Sequence, residues 1–158
     1  MPLLPILILS LTLLIPGAQS HSGVDSIVTQ LLQWRAELYE SVNNHDAALR
    51  DMNTAVARTP DSPGLYIQRG QVYLNMYEWD RSLEDFNTAI NLAPDDAEAY
   101  FQRGLLYYSV LQTGQTLHDE ALADFRHYLD LASEGPHADQ ARDYIDTLEA
   151  ERAALNAP

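Results

Sequence analysis

Residues 63–96 read PGLYIQRGQVYLNMYEWDRSLEDFNTAINLAPDD, and the side chains that punctuate this stretch recur at a spacing of 34 on either side of it. Tyr66, Arg69, Gly70 and Tyr73 return as Tyr100, Arg103, Gly104 and Tyr107 one period later, and as Leu32, Arg35, Ala36 and Tyr39 one period earlier. Phe86, Ala89 and Pro94 correspond to Met52, Ala55 and Pro60 upstream, while Phe125 and Tyr128 arrive five residues late downstream. Self-similarity at a fixed period marks stacked supersecondary units, each too small to bury its apolar face alone.

Boundaries at the recurring proline give copies at residues 29–62, 63–96 and 97–135, the third lengthened by five, with 21–28 before them and 136–158 after. Apolar residues at helical spacing, as in Leu83, Phe86, Ala89 and Ile90, predict two antiparallel helices per copy. Ser62-Pro63 reads as an N-cap followed by proline at the first helical position, and Asp95-Asp96 offers the same cap chemistry. Asp46, Asp80 and Asp119 are expected just before the second helices as caps, and Pro60, Pro94 and Pro136 as their stops. Small residues at Ala36, Gly70 and Gly104, opposite Ala48, Ser82 and Ala121, mark where neighbouring helices approach closely. In 136–158, Ala141, Ile145, Leu148 and Leu155 share one face, with Asp139, Arg142, Asp143, Asp146, Glu149 and Arg152 elsewhere, the pattern of a capping helix. Arg35 with Asp51, Arg69 with Asp85, and Arg103 with Asp124 occupy the same two phases. A pair made in every copy reads as an ion pair tying the two helices of each repeat rather than as a single ligand clamp.

The period of 34, with large, small and aromatic residues at fixed phase followed by Ala, Phe, Ala and Pro, resembles the tetratricopeptide repeat (TPR) family over residues 29–135. The resemblance implies an all-α, right-handed superhelix of three helical hairpins plus a C-terminal capping helix, and a protein-binding rather than catalytic role. It also implies a concave groove lined by the second, fifth, ninth and twelfth positions of each first helix. Carried over, those positions are Gln30, Gln33, Glu37 and Glu40, then Gly64, Ile67, Gln71 and Leu74, then Glu98, Phe101, Leu105 and Tyr108. From these the candidate peptide-binding residues are Gln33, Glu37, Ile67, Gln71, Leu74, Glu98, Phe101, Leu105 and Tyr108. The groove would run from acidic and amide-rich to apolar and aromatic, accepting apolar anchors with a basic flank. The competing reading covers Ile67, Leu74, Phe101 and Leu105 with the capping helix. TPR domains that grip the acidic C-termini of chaperones use Lys and Arg on these faces, so that role is not expected here.

Leu3 to Ile15 is almost wholly Leu, Ile and Pro without charge, and Ala18-Gln19-Ser20 supplies small residues ahead of His21. This predicts a secretory signal over residues 1–20, hence an exported protein, periplasmic or extracellular, with no membrane insertion once the signal is removed. There is no cysteine to form a disulfide. With 23 acids, 9 bases all of them Arg, and a net charge of −14, the chain repels phosphate backbones, so nucleic acid is not an expected partner. The five histidines have no metal-ligand spacing. No nucleophile elbow, phosphate loop or dinucleotide fingerprint is present, and acid pairs such as Asp119-Glu120 fall at helix starts. No cofactor, metal or catalytic residue is therefore expected. A second reading is a structural subunit, a possible homo-oligomer docking through its capping helix. The segment Leu111 to Leu117 between the helices of the third copy is a candidate binding loop or simply a longer turn.

Overall fold

The computed structural model describes residues 21–111 and 117–155, all of whose regular structure is helical. Seven helices follow one another in this part: α1 (His21–Ser41), α2 (His45–Arg58), α3 (Pro63–Asn75), α4 (Trp79–Leu92), α5 (Ala97–Leu111), α6 (His118–Leu131) and α7 (Ala138–Leu155). They pair as hairpins α1/α2, α3/α4 and α5/α6, which stack in sequence order, and α7 packs on α6. Residues 21–28, expected to extend the first helix or fray, belong to α1. The proposed signal and the inserted residues 112–116 lie outside the described residues. No described helix is long and apolar enough to cross a membrane.

The stack is held by complementary volumes at one register. An added Cβ at Gly70 would lie 2.6 Å from Cε1 of Phe86, and one at Gly104 would lie 2.9 Å from Cε1 of Phe125. Both rings are fully buried, so only a glycine lets α3 and α5 seat on them. The first hairpin departs in both partners at once, with Ala36 facing the same core cluster as the flexible Met52. Ser82 fits the small site on α4 and donates from its hydroxyl to the Gly70 carbonyl at 2.9 Å.

The repeated Arg and Asp form three forked ion pairs. Arg35 donates to both oxygens of Asp51 at 2.6 Å, Arg69 to both of Asp85 at 2.8 and 2.7 Å, and Arg103 to both of Asp124 at 2.8 Å. All three carboxylates are buried. Arg69 and Arg103 also reach back to Asn53 and Asn87 on the preceding hairpin, at 3.0 and 2.6 Å. No described hairpin precedes the one that holds Arg35, and its side chain is 40% exposed against 19% for Arg69. Burial pushes the Asp85 carboxyl up, and the Arg69 guanidinium works against that push.

Three expectations are corrected. Asp46, Asp80 and Asp119 lie within the first turns rather than at the caps, which are Asn44, Glu78 and Leu117. There they complement the positive helix end, and of these caps only Asn44 accepts a side-chain hydrogen bond, from the Ala47 amide. Asp96 does cap α5, accepting from the Glu98 amide at 3.1 Å, whereas Ser62 holds the cap position without a side-chain bond. Helix α6 ends at Leu131, well before Pro136, and the turn between them is tied back to the helix by the His137 amide, which donates to the Tyr128 hydroxyl at 2.9 Å. In α7, Ala141 and Leu148 are fully buried, but Leu155 is 69% exposed because the helix outruns the hairpin beneath it.

Candidate functional site

Helices α1, α3 and α5 present one continuous side of the stack, and between them lies a hollow of about 440 Å³. Helix α1 contributes Gln33, Glu37 and Glu40, α3 contributes Gln68, Gln71, Leu74 and Asn75, and α5 contributes Gln102 and Leu105. Ala36, Met52 and Val72 form its apolar floor. Five of the nine expected groove residues therefore converge: Gln33, Glu37, Gln71, Leu74 and Leu105.

The polar rim is cross-linked by its own side chains. The Gln33 amide donates to Gln68 at 2.8 Å, and Gln68 donates in turn to Glu37 at 3.3 Å. Glu40 is held on both oxygens, by Asn75 at 2.7 Å and by His45 at 2.7 Å. Glu37 is exposed and has only the longer contact, so it is the carboxylate best placed to meet an incoming charge. The amides leave further donors and acceptors facing the hollow, chemistry suited to the backbone of an extended chain.

The remaining expected residues are placed differently. Phe101 is 2% exposed and cannot contact a ligand. Its ring lies between Phe125 and Tyr128 and is stacked at 4.3 Å by His137, which immediately precedes α7. Ile67 is likewise buried, in the cluster of Phe86 and Ala89. Tyr108 is half-buried with its ring 4.8 Å from that of Tyr144 on α7. Glu98 accepts from Gln102 at 2.6 Å and faces His137 at 3.4 Å, so it belongs to the junction between α5 and the cap as well as to the rim of a shallow hollow beside Gln71. The capping helix thus covers the α5 end of the expected groove in part, and the open half lies on α1 and α3.

Gln68, Asn75 and Gln102 were not among the expected positions. Gln68 and Gln102 share one phase, 34 apart, and this amide pairing is the signal that marks them. A second hollow of about 530 Å³ continues from the first through Leu74, Asn75 and Leu105 to Tyr77, Trp79, Tyr108 and Ser109. Tyr77 holds a left-handed backbone, φ 61°, is 75% exposed, and meets Trp79 edge-to-face at 5.3 Å. Asn43, one period earlier, adopts the same conformation at φ 56°. Asparagine tolerates that region, whereas a tyrosine there stores strain of the kind found at functional positions.

Among the described residues no group of three His, Asp or Glu side chains is arranged to hold a metal ion.

A tetratricopeptide repeat family model matches residues 70–146. No curated protein matches the sequence. Among solved structures, the TPR2B domain of yeast Sti1 in complex with pHsp70 superposes with a TM-score of 0.71 at 15% identity, covering 79% of this chain and 98% of that one. The first TPR domain of Spaghetti (RPAP3), bound to the HSP90 peptide SRMEEVD, gives 0.70 at 19% identity, covering 79% and 95%. The Arabidopsis OM64 TPR domain gives 0.67 at 19% identity, covering 78% and 98%. A period of 34 that folds as three stacked hairpins, with a family model matching from the second hairpin into the capping helix, identifies residues 70–146 as tetratricopeptide repeat sequence and gives the described hairpins the fold of that family.

Proposed function

We propose that this chain is an exported, non-catalytic binding module, an adaptor or assembly factor, whose concave groove takes an extended peptide segment with a basic flank. The observation that carries this reading is the lining of the α1/α3 hollow, which holds Glu37, Glu40 and a set of amides but no Arg. The nearest guanidiniums, Arg35, Arg69 and Arg103, are each closed by a buried aspartate and face the core side of their helices. Spaghetti binds the HSP90 peptide SRMEEVD, which ends in acids. The hollow on this chain, lined by Glu37 and Glu40, would repel such a peptide and attract a basic one. A lysine or arginine of the ligand would meet Glu37, and apolar anchors would enter the adjoining hollow at Leu74, Tyr77, Leu105 and Tyr108.

Export rests on the apolar run from Leu3 to Ile15 and the small residues before His21. Intact-mass measurement of the exported protein should give a chain beginning at or near His21. A cytosolic protein that retains residues 1–20 would remove the export part of the proposal and leave the groove untouched.

The groove is tested by Glu37→Lys, an exposed change that leaves the fold intact. A partner captured by residues 21–158 at low salt should be lost in the variant, and raising the salt should weaken the wild-type complex, because rim charges act mainly on association rate and salt dependence. Capture indifferent both to salt and to Glu37→Lys would place the binding surface elsewhere.

A further inference from the structure

Eight large hydrophobic side chains stand exposed among the described residues; three of them, Ile27, Trp34 and Leu38, lie on α1, and a fourth, Val42, lies in the turn that directly follows it. With Leu31 the three on α1 follow one another at spacings of four, three and four, which at 3.6 residues per turn confines them to one stripe about 60° wide, and Val42 prolongs it past the end of the helix. Trp34 is 51% exposed and Val42 65%. No charged side chain belongs to the stripe.

The register of this stripe says what it is built for. Adding 34 to Leu31 gives Leu65 and then Ala99, adding it to Leu38 gives Val72 and then Leu106, and adding it to Val42 gives Met76 and then Val110. Leu65 and Val72 of α3, with Met76 just after it, pack in one cluster with Ala48, Met52 and Ala55 of the preceding hairpin. In α5, Ala99, Leu106 and Val110 pack in the same way with Phe86 and Ala89. These positions are the face by which each hairpin docks on the one before it. Leu31, Leu38 and Val42 carry those docking phases at the start of the stack, widened by Ile27 and by Trp34, whose phase is taken by Gln68 and Gln102 in the later copies, and no described hairpin precedes α1.

We propose that this face of α1 pairs with the same face of a second copy of the chain, forming a closed two-fold dimer. Three observations favour a second copy as the occupant. The four-three spacing is that of a helical seam, which is complementary to itself when two identical helices meet. The molecule carries a net charge of −14, so an uncharged stripe is where two copies approach with least repulsion. The opposite end of the stack is closed by α7, whose outer residues Asp139, Arg142, Asp143, Asp146 and Glu149 are exposed and charged, with Leu155 at its last turn as its exposed large hydrophobic, so head-to-tail growth would set the α1 stripe against a mainly charged surface. This route to self-association differs from docking through the capping helix, and the variants below distinguish the two.

The test is sedimentation equilibrium on residues 21–158, which contain every described helix and its core. The mass should rise from monomer to twice that value with concentration, and the dimer should strengthen as salt screens the net charge, the reverse of the salt response of a basic ligand in the groove. Leu38→Glu and Trp34→Glu should each hold the protein at monomer mass with unchanged helical circular dichroism. Leu155→Glu, a comparably exposed site on α7, should leave the dimer intact. In a Trp79→Phe background Trp34 is the remaining tryptophan, and its emission should shift to the blue as the dimer forms. A wild type monomeric at every concentration and salt, or a dimer that survives Leu38→Glu, would overturn the proposal. So would a monomeric full chain 1–158 in which Trp34 emits further to the blue than in 21–158, since the leader would then occupy the stripe.

Discussion

At the C-terminal end of the stack, α7 lays Ala141, Tyr144 and Leu148 over the third hairpin and leaves Asp139, Asp143 and Glu149 in solvent. At the N-terminal end, α1 leaves Trp34 and Leu38 about half exposed. The first helices of the two end hairpins, α1 and α5, carry residues of the same repeat phases, and what differs is the neighbour. Phe101 is core because α7 and His137 close over it, while Gln33, at the same phase on α1, remains on the rim of an open hollow. A repeat phase therefore defines a direction in space, and only the adjacent element decides whether that direction is core, groove or docking face. The practical consequence is that the open hollow lies toward α1 and α3, away from the cap.

The sharpest way to break this comparison is through the three ion pairs. Arg69→Ala would strand Asp85, which is 3% exposed, and should cost roughly 3–5 kcal/mol in thermal or denaturant unfolding. Arg35→Ala should cost distinctly less, because its guanidinium is already part-solvated and makes no bond to a preceding hairpin. In Arg69→Ala, burial acts on the Asp85 carboxyl without an opposing cation, so its folded-state pKa stands further above the unfolded one. The folded state then holds the proton more tightly, and stability falls as pH rises through the folded pKa. The deficit of Arg69→Ala should be largest near neutrality and shrink as pH falls into the carboxylate range. Equal losses for Arg35→Ala and Arg69→Ala would contradict the distinction between the ends.

A smaller effect distinguishes the hairpins by their small residue. Gly70→Ala drives a methyl to 2.6 Å from a buried Phe86 ring, an overpacking cost of about 1–3 kcal/mol that outweighs the gain in helix propensity of roughly 1 kcal/mol. The mirror change Ala36→Gly, facing the Met52 cluster, should lose roughly the propensity term alone. Denaturant midpoints at constant slope would separate them.

The hairpins, their order and their ion pairs were legible in the sequence because a feature repeated at one phase is tested against itself in every copy. Gly70 with Phe86 and Gly104 with Phe125 are one packing solution written twice. The cap was legible only as an amphipathic helix. Tyr144 stacks on Phe125, and His137 on Phe101, but neither belongs to a repeat, so no second copy reveals its phase. That is why the expected groove extended to Phe101 and Ile67 and why the amides Gln68 and Asn75 were missed: position in a helix fixes direction, not what later folds across it. The charge of the site, by contrast, was readable directly from Glu37, Glu40 and the bases tied to aspartates.

The smallest expected change probes the strained turn between α3 and α4. Tyr77→Gly should relieve roughly 1 kcal/mol of left-handed strain and raise the melting temperature by a few degrees, while Asn43→Gly should change it little. If Tyr77 is an anchor in the second hollow, the same substitution should weaken ligand binding by about 2 kcal/mol, roughly 30-fold. Gain of stability with loss of affinity is the signature expected of strain kept for binding.

The central claim is that the open half of the groove prefers a basic ligand. Its most direct test is a titration of residues 21–158, followed by amide chemical shifts, with SRMEEVD and with a peptide of the same length and apolar content in which the acids are replaced by arginine and lysine. The basic peptide should shift the signals of Gln33, Glu37, Gln68 and Gln71 at low salt and lose affinity as salt rises, while SRMEEVD leaves them unmoved. Saturable binding of SRMEEVD at those residues, with the basic peptide inert, would contradict the account.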